Sequence, residues 1–514
     1  MQASLITKQS YDLLVIGGGV NGTGIAADAA GRGLSVALCE MNDLGSATSS
    51  NSSKLIHGGL RYLEYYEFRL VREALAEREV LLGNAPHIIA PLRFQLPHRP
   101  HLRHAWMIRA GLFLYDNLAK RSTLKKSVSL TFTKDSPLQE NMRKGFEYSD
   151  ASVDDARLVI FNALAAKQHG ADILVQTKCI SAKRTEQGWC VALQESNGKV
   201  TEIYAKAIAN AAGPWVASLF DDTLDETSPK SIRLIKGSHI IVPKIHTQSQ
   251  AFILQNEDGR IVFVIPYQDD FSLIGTTDVE YLGDPSKVAI DQEEIEYLIS
   301  VSNAHFKAQI SAQDIVSTYS GVRPLLNDES DSAQAVTRDY TFEVSAVAGK
   351  LPLLSVFGGK ITTYRKLSQV AVDKLCEYFP SAGAPWTKDA PLPGGDFSSR
   401  EVLQTKLEAQ FPWMPQAVIK RFVRSYGTLS RYILSNCSQL ADLGQDFGFG
   451  LYGVEVDYLI ADEWAVTLED VLWRRTKMGL YLSSDQQQVL DEYIQLKTTT
   501  ADESSLNLET SVNR

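Results

Sequence analysis

Apolar positions along the chain change period several times, and each change marks an element. Residues 11–40, YDLLVIGGGVNGTGIAADAAGRGLSVALCE, open with the short run LLVI. A short apolar run bounded by glycines predicts a buried strand. An alanine-rich helix follows, ending at Gly31 or Gly33, and LSVALCE predicts a second strand. Phe68, Val71, Leu75 and Leu82 recur at helical spacing among charges, which predicts an amphipathic surface helix over 66–82. VDDARLVIFNALAAKQHG and ADILVQT repeat helix then strand over 153–178, and KAIANAAGPW is a strand running into Gly213-Pro214. From 234 to 280 the pattern becomes strand after strand: LIKGSHIIVP, AFILQNEDGRIVFVIP and FSLIGTTDVE, with NEDG as a hairpin turn. That predicts an antiparallel sheet in a second domain. LPLLSVFGGKITTYRKLS, residues 351–368, returns to strand, Gly-Gly and helix. Beyond about 386 the pattern is mostly helical, and no internal repeat is visible.

These elements divide the chain into a first domain of three pieces, 11–90, 150–230 and 345–385. A substrate domain takes 91–149 and 231–344, and a helical C-terminal domain takes 386–500. The polar stretch 501–514 is expected to be a flexible tail. At 514 residues the chain is long enough for such a division. Its 44% hydrophobic and 22% charged residues argue against a largely disordered protein. A formal charge of -10 disfavours nucleic acid as the main partner, because phosphate contacts need a basic face. Five scattered cysteines without a CxxC predict a reduced, cytoplasmic protein with neither disulfide framework nor metal site. The N-terminus shows no secretory h-region, and no apolar run reaches the roughly 18 residues of a spanning helix.

Gly17, Gly19 and Gly22 form G-x-G-x-x-G. The motif follows an apolar strand, opens a helix, and is followed by Glu40 at the end of the next strand. That is the context a dinucleotide-binding fingerprint needs. The first glycine makes the turn, the second admits the pyrophosphate, and the third lets helix and strand pack. The helix N-terminus faces the phosphates. Glu40 would accept from ribose hydroxyls and disfavours a 2′-phosphate. The fingerprint does not separate FAD from NAD. FAD is favoured by the return of strands at 207–213 and 353–359, and by FGGKITTYRK, residues 357–366. There Gly358 and Gly359 lead into a helix whose N-terminal amides would stabilise a reduced flavin. GGKIT lacks the earlier glycine of a P-loop, which is rejected. HExxH, GxSxG and an EF-hand loop are also missing.

Residues 93–126 depart from the acidic average, with eight Lys and Arg against the single acid Asp116. In their middle lies AWMIRAGLFLY. Basic flanks around Trp and Phe suit an interfacial segment on an anionic membrane surface.

Several longer motifs now stand in order: IGGGVNGTGIAADAAGRGLSVALCE, ATSSNSSKLIHGGLRYLE, RLIKGSHIIVP, IGTTDVE, YSGVRPL and FGGKITTYRK. With LPGG at 392–395 and the helical C-terminal region, they resemble the bacterial FAD-dependent, aerobic glycerol-3-phosphate dehydrogenases over nearly the whole chain. The resemblance implies an α/β (α+β) fold. A Rossmann-like FAD-binding domain joins an antiparallel-sheet substrate domain in the D-amino-acid-oxidase and glutathione-reductase style, with a helical C-terminal cap. It implies oxidation of sn-glycerol 3-phosphate at C2 to dihydroxyacetone phosphate, with hydride to FAD N5 and electrons to membrane ubiquinone. The expected location is the inner face of the cytoplasmic membrane, peripherally attached. A homodimer is left open. An oxygen-using soluble oxidase of the same fold and a non-catalytic nucleotide-binding scaffold are the alternatives.

Residue by residue, the resemblance places Arg61, Tyr62 and Arg323 at the substrate phosphate, with Thr276 and Arg338 as second members. Arginine suits phosphate because its fork makes paired charge-assisted bonds. Lys360 falls near flavin and substrate. Loss of hydride from C2 needs a base for the hydroxyl proton. His239, on a substrate-domain strand, is the expected base, with Lys360 and Arg323 beside it. Thr48, Ser49, Ser50 and Ser53 are expected to wrap the FAD, and Lys54, His57 and Gly213 to continue along it. Gly58-Gly59 would bring the backbone to the ring. The stretch Ala47–Glu64 is thus expected to connect two ligands.

Overall fold

The computed structural model describes residues 6–327 and 339–512, without the side chains of 276–278 and of 500 onward. Arg338 lies outside the described residues, as does the side chain of Thr276.

The apolar run 13–16 forms the centre of the first sheet. The strand Ser10–Ile16 lies between Val36–Cys39 and Val200–Asn210, parallel to both, and Lys350–Gly358 adds a further parallel strand. One cross-strand row reads Ala37, Leu14, Ile208, Leu353. Alternate residues serve opposite faces. Leu13 and Val15 pack with Ile25 and Leu367 beneath the helices, while Leu14 and Ile16 pack with Trp189 and Leu224 on the other side. Both faces are covered, so the strand reads as a continuous apolar run. Tyr340–Val347 also joins this sheet, antiparallel to Lys350–Gly358, so the chain returns to it before the expected 345.

Among the described residues the second sheet has nine strands. It is antiparallel as expected, except that Ala251–Gln255 runs parallel to Ile89–Pro97. Its members cross the expected domain boundaries. Leu55–Ile56 pairs with Lys144–Val153, which itself spans residue 150. One face packs Ile240, Val242 and Phe252 against Leu298 of the helix Gln292–His305. The other face turns Ile253 and Phe263 toward the first domain.

The helix Phe68–Asn84 is not a simple surface helix. Its Glu77 receives Arg365 and its Arg78 donates to Asp150, both buried. The C-terminal region is helical, with Gln416–Tyr426, Gly453–Ala461 and Ser484–Val512 among its elements and its own core around Phe422, Leu459 and Val471. The last helix runs through the stretch expected to be a tail. Among the described residues no helix is long and apolar enough to cross a membrane, and no group of His, Cys, Asp and Glu could hold a metal.

Candidate active site between the two sheets

A single cavity of about 600 Å³ runs from the glycine turn to the second sheet. At its first end the fingerprint glycines do what their spacing requires. Gly17 adopts φ +110°, and a Cβ there would meet the Ala211 carbonyl oxygen at 2.5 Å. A Cβ on Gly22 would meet the Gly17 carbonyl oxygen at 1.9 Å, so this glycine serves packing and does not line the cavity. Gly19 lines it. Glu40 also lines it and accepts from the amides of Gly18 at 2.7 Å and Asn42 at 2.8 Å. Burial holds its carboxyl above the ordinary range, against the pull of those amides. The remaining lone pairs fit ribose hydroxyls.

The stretch Ala47–Glu64 lines the cavity along its length, at Thr48, Ser49, Ser53, His57, Arg61 and Tyr62 among others. Its hydroxyls divide the work unevenly. Ser49 Oγ accepts from Val20 N at 3.0 Å, at the start of the first helix, which leaves its proton to donate into the cavity. Thr48 instead spends its proton on the Val322 carbonyl at 2.7 Å, tying the segment to the second sheet. Ser50 is outside the lining. Its carbonyl receives Lys54 Nζ at 2.8 Å. Lys54 does not follow the cofactor as expected. In a left-handed conformation, φ 57°, it turns to Asp155 at 2.8 Å. Gly59 needs its positive φ of 76°, whereas Gly58 donates to Tyr115 Oη at 2.8 Å.

Arg61, Arg323, Lys360 and His57 all line the same cavity, and Lys360 Nζ lies 3.8 Å from the centroid of the Tyr62 ring. Glycines in the strands make this possible. A Cβ on Gly237 would press on Arg323 at 3.0 Å, and one on Gly321 would meet Asn51 at 2.8 Å. Gly213, Gly358 and Gly359 line the cavity from the first sheet's side. The turn Ile361–Thr363 separates Lys360 from the helix Tyr364–Cys376, so the helix starts later than FGGKITTYRK suggested.

His239 is where strand alternation places it, in the cross-strand row Ile253, Phe263, Gly275, His239, Tyr319. Yet it does not line the cavity, being 1% exposed. Ser53 stands before it, with Oγ 3.0 Å from Nε2, and Tyr319 stacks on its ring at 4.7 Å. Burial, then the charges of Arg323 and Lys54, push the imidazole well below its ordinary pKa. A ring kept neutral behind a serine is badly placed to take a substrate proton.

Thr362 and Arg103 are among the lining residues that escaped sequence reasoning. Thr362 Oγ1 exchanges hydrogen bonds with His57 N and O at 3.2 and 3.3 Å, although its FGGKITTYRK context was a usable signal. Arg103 pairs with Glu64 at 2.8 Å on the cavity wall, and it came from the stretch read only for membrane contact.

A nucleotide fingerprint and several basic side chains lining one cavity define a dinucleotide-dependent enzyme acting on an anion. Residues 12–365 match the family described as FAD dependent oxidoreductase, and residues 385–502 match the C-terminal domain of alpha-glycerophosphate oxidase. Glycerol-3-phosphate dehydrogenase of Pseudomonas aeruginosa is 59% identical, over 94% of this chain and 95% of its own. The aerobic glycerol-3-phosphate dehydrogenase of Escherichia coli is 55% identical over 96% and 100%. D-erythritol 1-phosphate dehydrogenase of Brucella abortus is 48% identical over 94% and 98%. The crystal structure of glycerol-3-phosphate dehydrogenase from Bacillus halodurans complexed with FAD superposes with a TM-score of 0.74 at 25% identity, covering 99% of this chain and 95% of that one. The chain belongs to the FAD-dependent oxidoreductases, and within them to the glycerol-3-phosphate dehydrogenases.

Proposed function

We propose that the protein oxidises sn-glycerol 3-phosphate to dihydroxyacetone phosphate and delivers the electrons to ubiquinone in a membrane. The observation that carries this reading is that one cavity is lined both by Gly17 and Glu40 of the fingerprint and by the basic side chains Arg61, Arg323 and Lys360. Bound FAD supplies the hydride acceptor. The chain's residues do the rest. Gly17, Gly19, Glu40 and Ser49 hold the dinucleotide end. Arg61 and Arg323 take the phosphate dianion with Tyr62 beside them, fixing C2 toward the ring. The hydroxyl proton goes to a lining group with a free lone pair, the imidazole of His57 or Lys360 in its uncharged amine form. His239 is a positioning residue that fixes Ser53. Arg338 and Thr276 remain proposed phosphate ligands.

The membrane reading is supported by one surface. The helix Ala105–Asn117 buries Ile108, Leu112 and Tyr115 but leaves Trp106 70% and Phe113 65% exposed. Tyr65, Tyr66 and Phe68 add exposed aromatic area. Exposed apolar patches of this kind mark interaction surfaces. Glu64 and Arg103, paired on the cavity wall, directly precede Tyr65 and His104 in the chain, so this face adjoins the proposed reacting end.

Two further readings have specific support. The match of the C-terminal region to an oxidase domain favours oxygen as the acceptor, and the Brucella relative favours a four-carbon polyol phosphate. One set of assays tests all three. Turnover of glycerol 3-phosphate should exceed that of D-erythritol 1-phosphate, and quinone reduction should exceed peroxide formation. Faster turnover of the tetritol phosphate, or stoichiometric peroxide, contradicts the proposal.

A further inference from the structure

The C-terminal unit reaches into the cofactor segment through buried charge. Asp43 follows Glu40 in the loop beneath the nucleotide end and is nearly buried. One of its oxygens receives Arg474 Nε and Arg475 Nη1, and the other receives Arg475 Nη2 at 2.8 Å. Two residues on, Lys477 donates to Asp154 at 2.8 Å. Asp154 caps the helix Asp155–Gln168. The next residue, Asp155, holds Lys54 at 2.8 Å and Ser52 Oγ at 2.7 Å. The four residues Arg474–Lys477 therefore hold both ends of the segment 43–54. Arg157 of the same helix pairs with Glu463 through both carboxylate oxygens, and Arg475 also donates to the Glu463 carbonyl.

Removing one partner of a buried pair strands the other as an uncompensated charge. Asp43 without its arginines must move toward water and take the loop with it. That loop carries Glu40, and Ser49 lies between the two anchors. We propose that the C-terminal unit is the latch that retains the flavin, with Arg475 and Lys477 as positioning residues for the segment 43–54. The proposal rests on FAD being the bound dinucleotide.

The test is the rate at which holoenzyme releases FAD on dilution, followed by the rise in flavin fluorescence. The double variant Arg474→Met/Arg475→Met, which leaves Asp43 without a cation, and Lys477→Met should each release FAD at least tenfold faster than the unaltered protein, and Arg475→Met alone, which leaves Arg474 on Asp43, should be faster by a smaller factor. Arg475→Lys should recover part of the difference. Arg421→Met is the control. Arg421 pairs with Glu455 in an equally buried bridge that lies wholly within the C-terminal unit. It should lower the unfolding temperature comparably and leave FAD release within twofold. Asp43→Asn keeps the shape of the site and removes its charge, so it serves where the double variant does not fold, and it too should release FAD faster. Unchanged release from the folded double variant or Asp43→Asn overturns the latch, as does equal acceleration by Arg421→Met. Unaltered protein that carries no flavin at all overturns the cofactor assignment instead.

Discussion

Arg61 and Ser49 belong to one segment but are assigned to different ligands. Arg61→Ala removes a charge-assisted donor from a phosphate, worth about 1.5–3 kcal/mol, so KM for glycerol 3-phosphate should rise roughly 10- to 150-fold with flavin content unchanged. Ser49→Ala should weaken FAD binding about fivefold, the worth of a neutral hydrogen bond of about 1 kcal/mol, while KM of the remaining holoenzyme stays within about twofold because Ser49 serves the dinucleotide end. Ser50→Ala should change neither, because Ser50 is off the cavity. Steady-state kinetics and flavin absorbance check all three. His239→Asn should cost less than the about 10²–10⁴-fold that follows loss of a general base, and should keep the acid limb of the pH–rate profile. What was legible at this scale was chemistry that depends on backbone: Gly17, Gly22 and Glu40 carry their meaning in local spacing. What was not legible was depth. Alternation gives the face on which His239 lies, but not that Ser53 covers it. Lys54 was misread for a similar reason. Its partner Asp155 is remote in sequence, and no local pattern announces a left-handed lysine.

Among the elements, the helix Ala105–Asn117 carries the most specific expectation. Its exposed residues Trp106 and Phe113 stand seven apart, two turns along one face. Fully burying such a side chain is worth about 1.5–3 kcal/mol. Replacing both with serine should weaken binding to anionic vesicles at least about tenfold in a sedimentation assay, with activity toward a soluble electron acceptor retained. Undiminished sedimentation would count against this face. Most elements were readable because their apolar period is strong, as in 11–40 and 234–280. The exceptions are elements defined by pairing. Leu55–Ile56 is too short to have a period and exists because Lys144–Val153 lies beside it. The buried charges of Phe68–Asn84 depend on Arg365 and Asp150, which its own sequence does not contain.

At the scale of the whole molecule, buried histidines set a pH dependence. Burial keeps His246 and His305 at about 4 and also pushes His87 and His239 well below the ordinary imidazole value. The unfolded chain binds protons near the ordinary imidazole value of 6.5, whereas the folded protein refuses them. Stability should therefore fall as pH drops below about 6.5, with each such histidine contributing a slope of up to about 1.4 kcal/mol per pH unit. His246, packed on Phe252 and Phe306, gives the cleanest check: His246→Phe should flatten the fall in unfolding temperature between pH 6.5 and 5. The two-domain plan with a helical C-terminal unit was readable from the order of periods along the chain. The return of the first domain was readable too, because 353–359 repeats the buried-strand pattern of 13–16. The docking of the C-terminal unit onto Asp43 was not, since it is made of charges far apart in sequence. The proposed reaction requires flavin and phosphate sites joined in one cavity. Anaerobic addition of glycerol 3-phosphate to the holoenzyme should bleach the flavin's visible band, and Arg61→Ala and Arg323→Ala should each demand far more substrate for the same bleaching. A flavin that keeps its colour at saturating glycerol 3-phosphate, or bleaches equally well without those arginines, would contradict it.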